Sequence, residues 1–127
     1  MTGDGGWFQA NIDMFRIIGA HGYPVVGFSA RSFMPIVSRG DRYTVQSLAQ
    51  DCRSILVRAR RELGLPGSTP AILTGWSSGA VLAVVAGNAR SLQSEIAGVL
   101  GIGLPPAERT RPPSDEQARQ QFIRDQL

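Results

Sequence analysis

Ala71-Ile72-Leu73-Thr74-Gly75-Trp76-Ser77-Ser78-Gly79-Ala80 is the stretch on which the reading of this chain turns. An apolar run enters Gly-x-Ser-x-Gly, and small residues from Ala80 to Ala89 lead away from it. That pattern predicts a strand, a sharp turn and a helix, the arrangement of a nucleophile elbow. Gly75 and Gly79 keep the crowded turn free of Cβ atoms, so strand and helix can approach closely. Ser77 would stand at the tip with its hydroxyl exposed. The backbone N–H of Ser78 would open the helix and face an oxyanion formed on a carbonyl attacked by Ser77. The alternative is a tight turn whose glycines and serines serve packing alone.

Working outward, Ser78 to Ala89 reads as a helix that Ala80, Ala83 and Ala86 let pack closely on a sheet. Ile96 to Ile102 reads as a buried strand, ended by Gly103-Leu104-Pro105-Pro106. Upstream, Val45, Leu48, Cys52, Ile55, Leu56, Ala59 and Leu63 form one apolar stripe on a helix running from Tyr43 or Thr44 to Leu63. Thr44 can cap its start, and Gly64 with Pro66 closes its end. Tyr23 to Phe28 reads as a short buried strand, and Trp7 to about Ala20 as a helix stopped by Gly22. Alternation of this kind predicts an α/β fold: a three-layer sandwich with a mostly parallel sheet, a partial α/β-hydrolase fold. Residues 1–106 form the expected core, incomplete at both ends. Residues 107–127 form a polar segment, with a short helix from Asp115 to about Asp125 or a lid.

Gly3-Asp4-Gly5-Gly6-Trp7 can present backbone N–H groups to an anion. In a hydrolase the second oxyanion donor comes from the loop after the third strand, and Asp4 or Gly5 is placed to supply it. The alternative is a flexible tail. The stretch is not a dinucleotide fingerprint, because no strand precedes it and Trp7-Phe8 follow Gly6. Ser29 to Asp41 follows a predicted strand and should share the rim with Ser77. Phe33 and Met34 would wall a substrate pocket there, Arg31 or Arg39 would face an anionic group, and Trp7 and Trp76 complete the lining. The same segment also reads as a surface connection. His21, the single histidine, lies at the far end of the first helix, about 20 Å from the oxyanion loop at ~1.5 Å per residue. A general base must reach its proton, so His21 reads as a helix C-terminal residue near the last carbonyls.

Composition narrows the classes. The hydrophobic share of 43% supports a real core. No run of about 18 apolar residues is present, so no membrane span is expected. The first residues lack the basic start and apolar middle of a secretory segment. The chain therefore reads as cytoplasmic, or its targeting segment lies outside it. Cys52 is the single cysteine, which excludes an internal disulfide and a cysteine metal cluster. It reads as a buried thiol. No metal or cofactor is expected. The net charge is +3, and all 13 basic residues are arginines. Arg58, Arg60 and Arg61 cluster on one helix without interleaved aromatics, which reads as a solvated face and argues against nucleic acid. An anionic lipid surface stays open.

The layout resembles the α/β-hydrolase superfamily and, more narrowly, the bacterial virulence protein family of VirJ and AcvB. Thr2-Gly3-Asp4-Gly5-Gly6-Trp7 resembles that family's Ser-Gly-Asp-Gly-Gly-Trp loop. Val25-Val26-Gly27-Phe28-Ser29-Ala30-Arg31-Ser32-Phe33 is similar to its strand and Arg-aromatic loop. Gly75-Trp76-Ser77-Ser78-Gly79-Ala80 is similar to its Gly-Tyr-Ser-Phe-Gly-Ala elbow, and Asp51 sits where that family tends to carry an aspartate. The resemblance spans roughly residues 2 to 105. It implies a periplasmic serine hydrolase acting on small-molecule or lipid esters, aminoacyl-phosphatidylglycerol among them. Ser77 would be the nucleophile, with Asp4 and Ser78 backbone groups at the oxyanion.

A hydrolase triad runs Ser, acid, His along the chain, and no histidine follows Ser77 here. The expectation is a piece of a longer ester hydrolase whose histidine lies elsewhere. A non-catalytic module using the cleft for an anionic lipid or peptide is the alternative. A third reading is an interaction protein, or homo-oligomer, that completes an open sheet edge with a partner strand.

Overall fold

The computed structural model describes residues 1–3, 6–30 and 44–104. The candidate residues Asp4, Gly5, Arg31, Phe33, Met34 and Arg39, and the 107–127 segment, lie outside the described residues. Among the described residues the elements are, in chain order, α1 (Gln9–Ala20), α2 (Val45–Glu62), β1 (Ala71–Trp76), α3 (Ser78–Gly87), α4 (Arg90–Gln93) and β2 (Ile96–Ile102). The fold is mixed α/β. Its sheet is a parallel pair, β1 beside β2, with Leu73 opposite Val99 and Gly75 opposite Gly101. Parallel strands need a crossover, and α3 with α4 supplies it.

The core lies between one sheet face and the helices α2, α3 and α4. α3 is apolar almost all round and buried from Gly79 through Ala83 and again at Val85 and Ala86. A helix apolar on every side belongs inside a core. Leu48 and Cys52 of α2 join Leu73, Val81, Leu82, Val85 and Leu92 in one cluster. Thr44 caps α2 as its side chain predicts: its Oγ1 accepts from the Ser47 N–H at 3.0 Å. The opposite sheet face is thinly covered, and Ile72 is 65% exposed there.

Two expectations change. The arginine cluster on α2 is not one solvated face, because Arg60 is 6% exposed. Its guanidinium donates to the Thr69 carbonyl at 2.9 Å, to Glu95 Oε2 at 2.6 Å and to the Glu95 carbonyl at 3.0 Å. Arg53 reaches the other Glu95 oxygen at 3.0 Å. A buried guanidinium needs such a full set of partners. It pins the end of α2 to the loops before β1 and β2. Arg58 is exposed and pairs with Glu62 at 2.7 Å.

The Tyr23–Phe28 segment forms no strand in the described sheet. The N-terminus lies between it and β1. The Met1 α-amino group donates to the Thr74 carbonyl at 2.6 Å, and the Trp76 N–H donates to the Met1 carbonyl at 3.1 Å. On the other side, the Thr2 N–H donates to the Phe28 carbonyl at 3.1 Å. A residue bonded to the neighbours on either side of Gly75 follows the parallel-ladder pattern. Met1 thus makes a single rung, too short to build a ladder along residues 23–28.

Candidate active site

Ser77 sits where β1 meets α3, with φ 53° and ψ −123°. It is the one non-glycine residue with positive φ among the described residues. That backbone region disfavours residues with a Cβ, and persists only where the surroundings over-determine it. The surroundings do so here. The Ser77 N–H donates to the Ile102 carbonyl at 2.8 Å, and its carbonyl accepts from Ala80 at 2.9 Å. The half-buried side chain caps nothing and makes no hydrogen bond among the described residues.

The glycines explain how the turn closes. A Cβ on Gly75 would overlap the Gly79 carbonyl, and one on Gly79 would overlap the Thr2 carbonyl. Strand, helix and N-terminal segment therefore meet backbone to backbone. A Cβ on Gly3 would stand 3.1 Å from the Trp76 carbonyl and 3.2 Å from the Ser77 Cβ. The N-terminal segment thus runs directly beside Ser77. Gly6 N–H donates to Gly3 O at 3.0 Å, and Asn11 Nδ2 donates to Gly6 O at 3.2 Å, which ties that segment to α1. Asn11 is buried, and its Oδ1 has no hydrogen-bond partner among the described residues. Thr2 braces the other side: its Oγ1 accepts from the Ala30 N–H at 3.2 Å. Neither Asn11 nor Thr2 stands out in the sequence, where nothing marks a polar residue as a brace.

Ser78 begins α3, so its N–H belongs to the helix's leading donors. Trp76 packs edge-on against Phe8, centroids 5.9 Å apart, and Trp7 against Phe15 at 6.1 Å. Trp7 and Trp76 both line a cavity of about 620 Å³ that extends from the elbow along β1. Among the site residues the sequence suggests, Ser77 and Ser78 follow Trp76 at the elbow, and Trp7 joins Trp76 in lining the cavity.

His21 is the C-cap of α1, exposed, with Nδ1 2.8 Å from the Ile17 carbonyl. It closes a helix end, as its position in the chain suggests. Cys52 is buried, and burial, with Asp51 adding, pushes its thiol up to about 11. Among the described residues no helix is long and apolar enough to cross a membrane. No group of three metal-ligating side chains occurs among them either.

What the fold and site define is a mixed α/β chain with a strained serine at a strand-to-helix junction. No protein-family model, curated protein or solved structure matches it.

Proposed function

We propose that this chain carries the nucleophile half of a serine ester hydrolase of the α/β-hydrolase type, a partial three-layer sandwich resembling the VirJ and AcvB virulence family. The carrying observation is the backbone of Ser77, at φ 53° between two glycines where a Cβ would overlap neighbouring backbone. Strain of this kind is retained where it aims a side chain. Ser77 Oγ would attack the ester carbonyl and lose its proton to a base. The alkoxide leaving group takes that proton, and water then hydrolyses the acyl-serine. The leading N–H groups of α3, from Ser78, together with the Asp4-Gly5 backbone, would hold the oxyanion. The base is a histidine from outside these 127 residues, since His21 closes α1. Without it, binding and the oxyanion donors still support slow turnover.

The position of His21 also favours a second reading, a binding module that keeps the elbow and lodges an anionic lipid or peptide beside it. Hydrolysis of p-nitrophenyl esters separates the two. The hydrolase predicts slow release of p-nitrophenol that Ser77→Ala abolishes and His21→Ala leaves unchanged. Release equal in the parent chain and Ser77→Ala would leave only the binding module.

A further inference from the structure

The outer edge of β2 is an unpaired backbone edge, and an apolar flank of α3 stands above it. In a strand, alternate residues direct their N–H and C=O groups to opposite edges. The Ser77 N–H donates to the Ile102 carbonyl, and the ladder pairs Leu73 with Val99 and Gly75 with Gly101. Gly98, Leu100 and Ile102 therefore turn their backbone groups to β1. Val99 and Gly101 turn theirs outward, and no bond reaches those groups among the described residues. Natural edges are blunted by lysine, proline or a bulge. Ile96 to Leu104 holds no charge and no proline. The register shift opposite Ala71 and Ile72 interrupts the strand before Gly98, so the flat edge runs from Gly98 to Ile102.

The side chains at this edge are apolar and uncovered. Leu100 lies opposite Thr74 on the sheet face that carries Ile72, and it is 51% exposed. Val99 turns to the other face, where a Cβ on Gly87 would strike it. A Cβ on Gly101 would meet Leu104 and Ala80 on that same face. Val99 and Leu104 are exposed as well. Val84 shares the helical flank of Ala80 and Gly87, at the spacing that stacks residues on one side of a helix. It alone between Gly79 and Ala86 is not buried.

We propose that this edge pairs with the same edge of a second copy, antiparallel about a twofold axis through Leu100. Val99 and Gly101 of one copy then lie opposite Gly101 and Val99 of the other, and exchange roughly four hydrogen bonds. The two Leu100 side chains meet across the axis, where the strands approach to about 4.5 Å. Each Val99 stands beside a glycine with Leu104 folded over it. Because α3 packs on β1 and β2 alike, the two α3 helices lie about two strand spacings apart, ~10 Å, an ordinary helix-packing distance. Val84 then faces Val84. One surface serves both copies, as a closed twofold pair requires. It runs ~17 Å along the strand and ~20 Å across the strand and helix layers, on the order of 400 Å² a side. Stable pairs bury about 800 Å² a side, so this one forms and parts readily, with Kd on the order of 100 µM. Ser77 takes no part in it.

Sedimentation velocity and amide exchange by NMR test the pairing on the 127-residue protein. At that Kd about a quarter of the chains pair at about 20 µM and about four-fifths at about 1 mM. The Val99 and Gly101 amides should therefore exchange about fourfold more slowly at the higher concentration. The mass should rise toward the dimer and stop there. Leu100→Lys sets like charges opposite each other and should weaken pairing about 10-fold or more, and Leu100→Glu should do the same. Mixing the two variants should restore it, because a twofold at Leu100 sets a lysine opposite a glutamate. If the Leu100 variants do not fold, Val84→Lys and Val84→Glu make the same comparison across α3. A protein that stays monomeric at about 1 mM overturns the proposal, as does a mixture that pairs no better than either variant alone. Growth past the dimer overturns it too, since the contact then does not close. So do Val99 and Gly101 amides already protected in the monomer, which would give the edge to the protein's own residues.

Discussion

Replacing Ser77 by glycine should stabilise the protein relative to replacing it by alanine. Alanine keeps the Cβ and with it the unfavourable backbone at φ 53° and ψ −123°. Glycine removes that strain, worth about 1–3 kcal/mol for a residue held in a sparsely populated region. Against it stands the larger freedom glycine has when unfolded, about 0.5–1 kcal/mol. The net advantage of Ser77→Gly over Ser77→Ala is then about 1 kcal/mol, and at most about 2.5 kcal/mol. At roughly 4 °C per kcal/mol for a chain of this size, that is about 4 °C in melting temperature, and at most about 10 °C. The Ser77 hydroxyl bonds nothing among the described residues, so Ser77→Ala itself should stay within about 0.5 kcal/mol of the parent. Urea denaturation with an unchanged slope isolates the stability term. A glycine variant no more stable than the alanine variant would show that the junction is relaxed, and the strain argument would fail.

The remaining predictions concern the supports of the site. Gly75→Ala and Gly79→Ala each drive a Cβ into backbone and should lower stability by about 3 kcal/mol or more. Gly98→Ala, with open space around it, should be neutral or stabilising by up to about 1 kcal/mol in the same melts. Asn11→Ala should cost about 1 kcal/mol and loosen the segment beside Ser77, seen as faster exchange of the Gly6 amide. With its thiol pushed to about 11, Cys52 is thiolate in roughly one molecule in a thousand at pH 8. A disulfide reagent should therefore titrate it only after denaturant is added. The Arg60 hydrogen bond, with Arg53 assisting, holds the Glu95 carboxyl below the usual carboxylate range. The unfolded chain therefore binds more protons in acid. This contribution is present above the ordinary carboxylate pKa and lost as pH falls through the folded value. Glu95→Gln should flatten the acid limb of melting temperature against pH.

The elements written in local pattern are legible in the sequence alone. The apolar stripe and Thr44 cap place α2, and Gly-x-Ser-x-Gly between an apolar run and small residues places β1 and α3. Ile96–Ile102 is a strand with the bounds its sequence suggests, but it is not the buried strand its apolar run predicts, since none of its residues is buried and Val99 and Leu100 are exposed. What escapes depends on distant partners. Arg60 looks like one more surface arginine until Glu95, 35 residues away, folds against it. Tyr23–Phe28 has strand composition, but a strand needs a neighbouring ladder, and here only one rung of Met1 and Thr2 lies beside it. Local pattern places the helix from Ser78 to Ala89, two residues past its observed end at Gly87, but does not mark the single turn α4 that follows. Of the site, the serine and its glycines are readable from spacing. The bracing by Thr2 and Asn11 is not, because each acts through backbone atoms that no side-chain pattern reveals.

The nucleophilic serine is tested most directly by treating the protein with a fluorophosphonate and mapping the adduct by peptide mass spectrometry. A single phosphonyl group on the peptide carrying Ser77, absent in Ser77→Ala and after denaturation, is the predicted result. An unmodified Ser77 in the folded protein, both alone and joined to a histidine-bearing extension of the chain, would contradict the account.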